Sequence, residues 1–376
     1  MKRLPSLVCL LISLSAPWHG TSQTNWLMRP SNTSQNLYTV SYGGGAFLIG
    51  GAGVCLTSTN GTAWRCYTLG SPSVTSLAYC NGEWYGVGSF NGGNLGVSTN
   101  NGQTWTPRNI AGLSAKAIAY GDGTLVAVGD SGFIRYSADG GLTWNTGLSP
   151  TSYQLNAVTF GNGTWLAAGG CYSESVVTSA DAQLWTLRNL PSGYLICSTS
   201  VGYGAGTFVV NAGDYYFTSS NDGVSWTAYT PPNPSAYGYH VAYGGGTWVA
   251  AGNAGRMRLS TDGGQTWNLQ NSGVEINLSG VAYGHGVWVS VGDNGTIISS
   301  PESASGAPPL VPSVQIQQAI ELDWQSQDGA VYQVQRSTNM SAWQDIGAPL
   351  LGDGQSKKFC DGAGQSTKRF YRIQIK

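Results

Sequence analysis

One short element occurs seven times in the chain. It consists of an aromatic residue, a glycine three positions later and Phe, Trp or Leu two positions after that, at intervals of 37, 41, 40, 43, 40 and 40 residues. The glycines of the seven copies are Gly45, Gly82, Gly123, Gly163, Gly206, Gly246 and Gly286. A period near 40 residues is typical of propeller blades, each a sheet of four short strands. The repeat therefore predicts an all-β fold, a seven-bladed β-propeller.

A turn that ends in tryptophan is the second marker of the repeat. It follows six of the seven glycine elements, at Trp64, Trp105, Trp144, Trp185, Trp226 and Trp267. The seventh unit has no such residue, whereas Trp26 stands before the first unit. Because a closed ring hides the sheet edges that an open array exposes, we expect the strand from Trp26 to Arg29 to complete the last blade.

The tryptophan turns carry a family resemblance. STDGGQTW, with Ser260, Asp262 and Trp267, and SADGGLTW, with Ser137, Asp139 and Trp144, resemble the Asp box, Ser-x-Asp-x-Gly-x-x-Trp. Weaker copies begin at Ser98 and Ser219, at Thr57, and at Thr178, where TSADAQLW is interpreted as lacking both Asp and Gly. The chain is thus similar to Asp-box (BNR-like) propellers of the sialidase superfamily, and to exported propellers like photosystem II assembly and stability factors. The resemblance implies that these turns are structural and lie opposite the binding face.

The two ends of the chain differ from the repeat. Lys2 and Arg3 precede an apolar stretch, which predicts a signal peptide over residues 1–22 and a secreted, periplasmic or cell-surface protein. After the propeller (23–302), a proline-containing linker (303–313) leads to alternating segments in residues 314–376. This C-terminal part is similar to the short fibronectin-like modules of secreted bacterial proteins, so we expect a small β-sandwich-like module.

Composition excludes several kinds of partner. The formal net charge is −1 and charged residues make up 9% of the chain, which argues against nucleic acid as a ligand. No later apolar run approaches the ~18 residues of a membrane-spanning helix. Without a CxxC pair, and with only His240 and His285 after the signal peptide, no metal and no cofactor are expected. We expect a monomer.

Six cysteines follow the signal peptide, an even number that permits disulfides in an exported chain. Cys55 and Cys66 flank the first tryptophan turn and could pair across its strands. Cys171 and Cys197 could pair in the irregular fourth unit. Cys80 and Cys360 then remain, either free or joining the two domains.

The repeat accounts for most residues that could do chemistry. The arginines that a sialidase would need, Arg29, Arg108 and Arg188, each follow a repeat tryptophan by three positions, and Asp130 and Asp293 lie in repeated Gly-Asp-x-Gly turns. No catalytic residue is therefore predicted. The alternative, a sialidase-like glycoside hydrolase, requires two acids on one face, for which the non-repeated candidates are Glu174, Asp214 and Glu275.

Irregular loops are where a rigid repeat scaffold most often binds ligands. Such loops follow Trp185 and Trp226 and interrupt the fourth and fifth units, and they predict a tyrosine-rich rim opposite the Asp boxes. Its candidate binding residues are Tyr172, Glu174, Tyr194, Asp214, Tyr215 and Tyr237. Tyrosine offers apolar area with one polar group, so we expect an exported binding or scaffold protein whose ligand is a glycan or a protein.

Overall fold

The computed structural model describes residues 26–90, 93–110, 112, 115–170, 176–191, 199–213, 215–231, 238–300, 320–337, 341–351, 355–361 and 370–375. Helical structure in these ranges is confined to three 3₁₀ turns, Asp130–Gly132, Asn253–Gly255 and Asp293–Gly295. None of the described helices is long and apolar enough to cross a membrane.

Antiparallel strands build the repeat region. The first strand is β1 (Leu27–Arg29), and a six-stranded sheet follows with β2 (Leu37–Gly43), β3 (Ala46–Ser58), β4 (Arg65–Cys80), β5 (Glu83–Phe90), β6 (Gly93–Ser98) and β7 (Thr106–Arg108). Four sheets of four strands come next: β8 (Ala115–Gly121), β9 (Thr124–Gly129), β10 (Ile134–Ser137) and β11 (Asn145–Thr146); β12 (Ala157–Gly161), β13 (Thr164–Ala168), β14 (Val176–Ser179) and β15 (Thr186–Arg188); β16 (Thr199–Gly204), β17 (Thr207–Ala212), β18 (Tyr215–Ser219) and β19 (Thr227–Tyr229); β20 (Gly238–Gly244), β21 (Thr247–Gly252), β22 (Met257–Ser260) and β23 (Asn268–Gln270).

The last sheet of the repeat region joins the two ends of that region. It contains β24 (Leu278–Gly284), β25 (Val287–Gly292) and β26 (Ile297–Ser299), and its fourth strand is β1. Leu27 pairs with Ser299, and Arg29 pairs with Ile297. The first described strand therefore completes the sheet of the last repeat.

The first strands of the repeats follow one another around a closed circle. Contacts run from β2 to β4, β8, β12, β16, β20 and β24, and β24 contacts β2 again. The apolar cores lie between successive sheets; one of them combines Leu37 and Val40 with Val289 and Ile297 from the last sheet. Each sheet is thus buried on both faces by its neighbours, which a single repeat could not achieve.

At six of the contacts between successive sheets, an aromatic ring packs directly against a glycine. The first strand of a repeat ends in an aromatic residue followed by glycine, and the aromatic ring of the next repeat occupies the space where a Cβ atom on that glycine would lie. The pairs are Tyr79 on Gly43, Phe160 on Gly121, Tyr203 on Gly161, Tyr243 on Gly204, Tyr283 on Gly244 and Tyr42 on Gly284. The aromatic residue of the sequence repeat therefore packs between sheets and sets how closely they approach.

Left-handed backbone at two successive residues explains the repeat glycine. Every hairpin between the first and second strand of a repeat has positive φ at both turn residues, as a type I′ turn requires. The pairs are Gly44-Gly45, Asn81-Gly82, Asp122-Gly123, Asn162-Gly163, Ala205-Gly206, Gly245-Gly246 and His285-Gly286. The marker glycine is always the second residue of this turn.

The expected Cys55–Cys66 disulfide is wrong. Cys55 and Cys66 are both free. In the β3–β4 ladder Cys55 pairs with Tyr67, and Cys66 pairs with Leu56. Because neighbouring residues of a strand point to opposite faces, the two thiols belong to different apolar clusters. Cys171 and Cys197 lie outside the described residues.

The C-terminal residues form two small antiparallel sheets. β27 (Ile320–Gln325) pairs with β30 (Ser356–Asp361), and β28 (Val331–Ser337) lies between β29 (Gln344–Leu351) and β31 (Phe370–Ile375). The rings of Trp324 and Tyr332 lie 5.8 Å apart. The guanidinium of Arg372 lies 4.4 Å from the ring centre of Trp343. These strands lie within residues 314–376, where alternating segments predict a small β module.

Candidate functional site

The sheets of the repeat region have two different ends. In an antiparallel sheet of four strands, the first and third turns lie at one end, and the second turn lies at the other with the connection to the next sheet. The tryptophan turns are third turns and share their end with the type I′ hairpins. We call this end the Trp-turn face and the other the connection face.

Internal hydrogen bonds use the polar groups of the tryptophan turns. Ser137 Oγ donates to Asp139 Oδ1 (2.7 Å) and accepts from the Gly141 amide (2.8 Å). Asp139 also accepts from the amide of Thr143 (2.9 Å) and from its hydroxyl (2.5 Å). These donors lower the pKa of Asp139 to about 2. Trp144 Nε1 donates to the Gly141 carbonyl (3.3 Å).

The same network holds the turn from Ser260 to Trp267. Ser260 Oγ donates to Asp262 Oδ1 (2.8 Å), and Trp267 Nε1 donates to the Gly264 carbonyl (2.9 Å). The pKa of Asp262 is lowered by hydrogen bonds from Thr266, Ser260 and Gln265 that outweigh the effect of burial. Asp139 and Asp262 accept hydrogen bonds from residues of their own turns, so their role in this network is structural.

Two of the weaker turns differ from the sequence interpretation by one residue. In the fourth unit Ser179 and Asp181 take the serine and aspartate positions, and Asp181 accepts from the amides of Gln183 (2.9 Å) and Leu184 (3.0 Å). The expectation that this turn lacks an aspartate is wrong, because the turn is one residue shorter than the motif. Ser58 and Asn60 likewise replace Thr57 and Thr59 in the first unit.

The candidate arginines serve separate sheets. Arg29 Nε donates to Ser299 Oγ (2.8 Å), and Arg188 Nε donates to Thr178 Oγ1 (2.7 Å). Arg108 Nη1 donates to the Gly140 carbonyl (2.7 Å). All three lie on the outermost strands β1, β7 and β15, so they do not converge on a carboxylate site.

The two histidines occupy structural positions. His285 has a φ of 50° in a type I′ turn. His240 lies in β20, and its Nδ1 is buried with no hydrogen-bond partner within the described part of the chain. Burial lowers the pKa of His240 to about 4, which keeps the imidazole neutral at physiological pH. No group of three or more His, Cys, Asp or Glu suited to a metal occurs among the described residues.

Most of the predicted tyrosine-rich rim lies outside the described residues: Tyr172, Glu174, Tyr194, Asp214 and Tyr237. Tyr215 is half-buried and begins β18 opposite Ala212, at the connection end of that strand. Glu275 is exposed in the connection before β24. Of the three hydrolase candidates, Glu275 alone is among the described residues.

Three connections of equal length lie on the connection face. They read SNTSQNL (31–37), SPTSYQL (149–155) and SGVEINL (272–278), and each packs against a 3₁₀ turn. We call each pair of connection and 3₁₀ turn a loop–turn unit. In every unit the serine hydroxyl donates to the carbonyl of the residue two positions on, at 3.1 Å, from Ser31 to Thr33, from Ser149 to Thr151 and from Ser272 to Val274. The same carbonyl lies against the turn glycine, Gly295, Gly132 or Gly255.

The sixth connection residue caps the 3₁₀ turn in two of the units. Asn36 Oδ1 accepts from the Asn294 amide (3.0 Å), and Asn277 Oδ1 accepts from the Ala254 amide (3.1 Å). Asn277 Nδ2 also donates to Asp293 (3.0 Å). Amide side chains thus fix these two turns, each with a left-handed central residue.

The middle unit has a different polar centre. Gln154 replaces the capping asparagine, and its Oε1 accepts from Lys116 Nζ (3.0 Å). Lys116 forms an ion pair with Asp130 (2.8 Å), the first residue of the 3₁₀ turn. Lys116 lies at a β-bulge of β8, between Ala115 and Ala117, and bulges commonly redirect a side chain near a binding site. Tyr153, beside Gln154, is 49% exposed.

Sequence analysis missed this cluster, although a signal for it exists. The pattern Ser-x₅-Leu before the first strand of a repeat occurs at Ser31, Ser149 and Ser272. Aligning the three copies singles out Tyr153 and Gln154 at positions held elsewhere by Gln35 or Ile276 and by asparagine. Lys116 is distant in sequence, so its place in the cluster depends on the packing of the sheets.

No protein-family model matches the chain, and no curated protein matches its sequence. Solved structures do match its fold. YCF48 bound to D1 peptide is 19% identical with a TM-score of 0.60, and the match covers 73% of this chain and 94% of that one. A catalytically inactive virginiamycin B lyase from Staphylococcus aureus is 13% identical with a TM-score of 0.61, covering 73% and 99%.

A GH74 enzyme from Niastella koreensis is 19% identical with a TM-score of 0.55, and the match covers 73% of this chain and 44% of that one. Identities this low support the fold alone. The all-β architecture, the ring of antiparallel sheets and these neighbours together show that the chain has a β-propeller fold.

Proposed function

We propose that the protein is an exported, noncatalytic binding or scaffold propeller that recognises a glycan or a protein on its connection face. The loop–turn units carry this proposal, because they are ordered by hydrogen bonds yet present different side chains, Gln35, Tyr153 and Ile276, at one equivalent position. Rigid frames with variable side chains are typical of binding loops. The Trp-turn networks, in contrast, use their polar groups internally.

The domain organisation belongs to the same proposal. We infer seven blades, supported by the cyclic contacts of the repeat strands and by β4, which is long enough to serve two successive repeats in the six-stranded sheet. We infer that the Trp turns are Asp boxes and that residues 314–376 are a fibronectin-like module. Lys2, Arg3 and the apolar stretch after them support export after cleavage of a signal peptide.

One neighbour supports a binding role and another supports the alternative. The YCF48 structure contains a peptide, and the GH74 structure is an enzyme. Of the described acids on the connection face, Asp130 is paired with Lys116, Asp293 accepts from Asn277, and Glu275 is exposed. Two of these three carboxylates are engaged by other side chains, which favours binding without hydrolysis.

Binding and sugar release should be measured on the same set of ligands. The protein from Gln23 onward is applied to a glycan array and a peptide array, and reducing sugar is assayed with the corresponding polysaccharides. We expect binding without release. Sugar release that disappears in Glu174→Ala or Asp214→Ala would instead make the protein a glycoside hydrolase, and failure to bind either array would contradict the binding proposal.

A further inference from the structure

We propose that the middle loop–turn unit binds one sugar residue of a neutral polysaccharide, with Tyr153 beneath the ring and Asp130, Lys116 and Gln154 at its hydroxyl groups. This inference rests on the proposed function and names its ligand class. It concerns described residues outside the predicted tyrosine-rich rim.

Tyr153 is an aromatic side chain on a well-ordered backbone. Its amide donates to Thr151 Oγ1 (3.1 Å), and its carbonyl accepts from the Gly132 amide (2.7 Å). The following residues are also held, because the Leu155 amide donates to the Gly129 carbonyl (2.8 Å). Ordering the backbone before binding reduces the entropy lost on binding. A half-exposed ring on such a backbone is suited to stack against the apolar face of a sugar.

The polar groups of the same loop–turn unit can form hydrogen bonds with sugar hydroxyls. Lys116 and Asp130 are 37% and 41% exposed, so water or a ligand reaches both. A carboxylate accepts several hydrogen bonds, an ammonium donates three, and an amide does both. Adjacent hydroxyls of a sugar can donate to Asp130 and accept from Lys116 at the same time. Gln154 holds Lys116 from the side of the connection.

The charge of the cluster selects a neutral ligand. Lys116 and Asp130 offset each other, so the cluster carries no net charge to attract a uronic acid polymer or a nucleic acid. Tyr153 is a single exposed ring, whereas a stable protein interface buries about 800 Å² on each partner. A sugar residue, with one apolar face and a rim of hydroxyls, fits the described groups better than a protein.

Affinity electrophoresis tests the proposal with galactomannan, arabinoxylan, mixed-linkage β-glucan and dextran as neutral probes, and with polygalacturonate as the acidic probe. We expect at least one neutral polymer to retard the protein from Gln23 onward. Tyr153→Ala should weaken that retardation about tenfold or more, and Tyr153→Phe should preserve most of it, since phenylalanine keeps the aromatic ring that stacks on the sugar. Asp130→Asn should also weaken it, because the carboxylate acceptor is lost.

Leu142→Ala is the control, because Leu142 is 69% exposed on the Trp-turn face, opposite the proposed site. It should bind like the unchanged protein. Equal retardation of Tyr153→Ala and Leu142→Ala, retardation by polygalacturonate alone, or no retardation by any neutral polymer would overturn the sugar-binding inference. If a peptide on the array binds in that case, the proposed binding function survives, so the two failures can be distinguished. Circular dichroism of each variant establishes that it is folded.

Discussion

The ring of Tyr42 lies where Gly284 would carry a side chain, and this contact joins the first repeat to the last. Gly284 ends β24, and Tyr42 belongs to β2, 242 positions earlier in the chain. Together with the pairing of β1 and β26 it closes the ring. The aromatic and glycine markers of the sequence repeat therefore form one contact between successive sheets.

Gly284→Ala should destabilise the protein by about 2–3 kcal/mol, because its methyl group overlaps the Tyr42 ring in a packed core. The measurement is chemical unfolding followed by fluorescence. Tyr42→Ala alone should also lower the free energy of unfolding. The loss in the double variant should be smaller than the sum of the losses in the two single variants. Additive losses would show that the Tyr42 contact does not cause the effect.

Ala205→Asn should stabilise the protein by about 0.5–1 kcal/mol. Ala205 has a φ of 49° at a turn position where Asn81 and Asn162 occur in other repeats, and asparagine tolerates left-handed backbone better than alanine. Thermal unfolding measures the gain. Ala63→Asn, at an exposed position without positive φ, should change the melting temperature little, and an equal gain there would contradict this reasoning.

Asp139 should make stability depend on pH in acid. Its pKa is about 2 in the folded protein and 3.8 in a model compound. The carboxylate therefore stabilises the fold above about pH 4, and this contribution is lost as the pH falls towards 2. The melting temperature of Asp139→Asn should fall less steeply over that range. Asn100 and Asn221 form the same turn elsewhere, so the variant should fold at neutral pH; parallel curves for both proteins would refute the prediction.

His240 should make stability depend on pH in a higher pH range than Asp139 does. Its pKa is about 4 when folded and 6.5 in a model compound, so the unfolded chain binds a proton first. The contribution of neutral His240 to stability is therefore fully present above about pH 6.5. As the pH decreases towards 4, the free energy of unfolding falls by at most ~1.4 kcal/mol per pH unit. In the chain from Gln23 onward, His285→Asn leaves His240 as the only histidine for NMR. Its ring protons should show no titration above pH 5, and a midpoint near 6.5 would contradict burial.

The free thiols should differ in their rates of alkylation. Cys66 is half-buried, whereas burial raises the pKa of Cys55 to about 12. Because the thiolate is the reactive form, a thiol reagent at pH 8 should modify Cys66 first. Peptide mass spectrometry measures the order. Faster modification of Cys55, or isolation of a Cys55–Cys66 disulfide, would contradict the register of β3 and β4.

Elements with local causes could be predicted from the sequence. Type I′ turns require left-handed residues, so glycine recurs at Gly45 and its six equivalents. The turn from Ser137 to Trp144 is held by hydrogen bonds between residues at most four positions apart, so its motif is visible in the sequence. The period of these elements was sufficient to predict a propeller.

Features that depend on a shift of one residue, or on contacts between sheets, could not be predicted from the sequence. In a strand, such a shift moves a side chain to the other face, and for that reason Cys55 and Cys66 are apart. In the fourth tryptophan turn, one residue fewer than the motif places Asp181 at the aspartate position. Lys116 meets Asp130 and Gln154 because a β-bulge and the packing of two sheets bring distant residues together. No local pattern encodes that encounter, whose partners lie up to 38 positions apart.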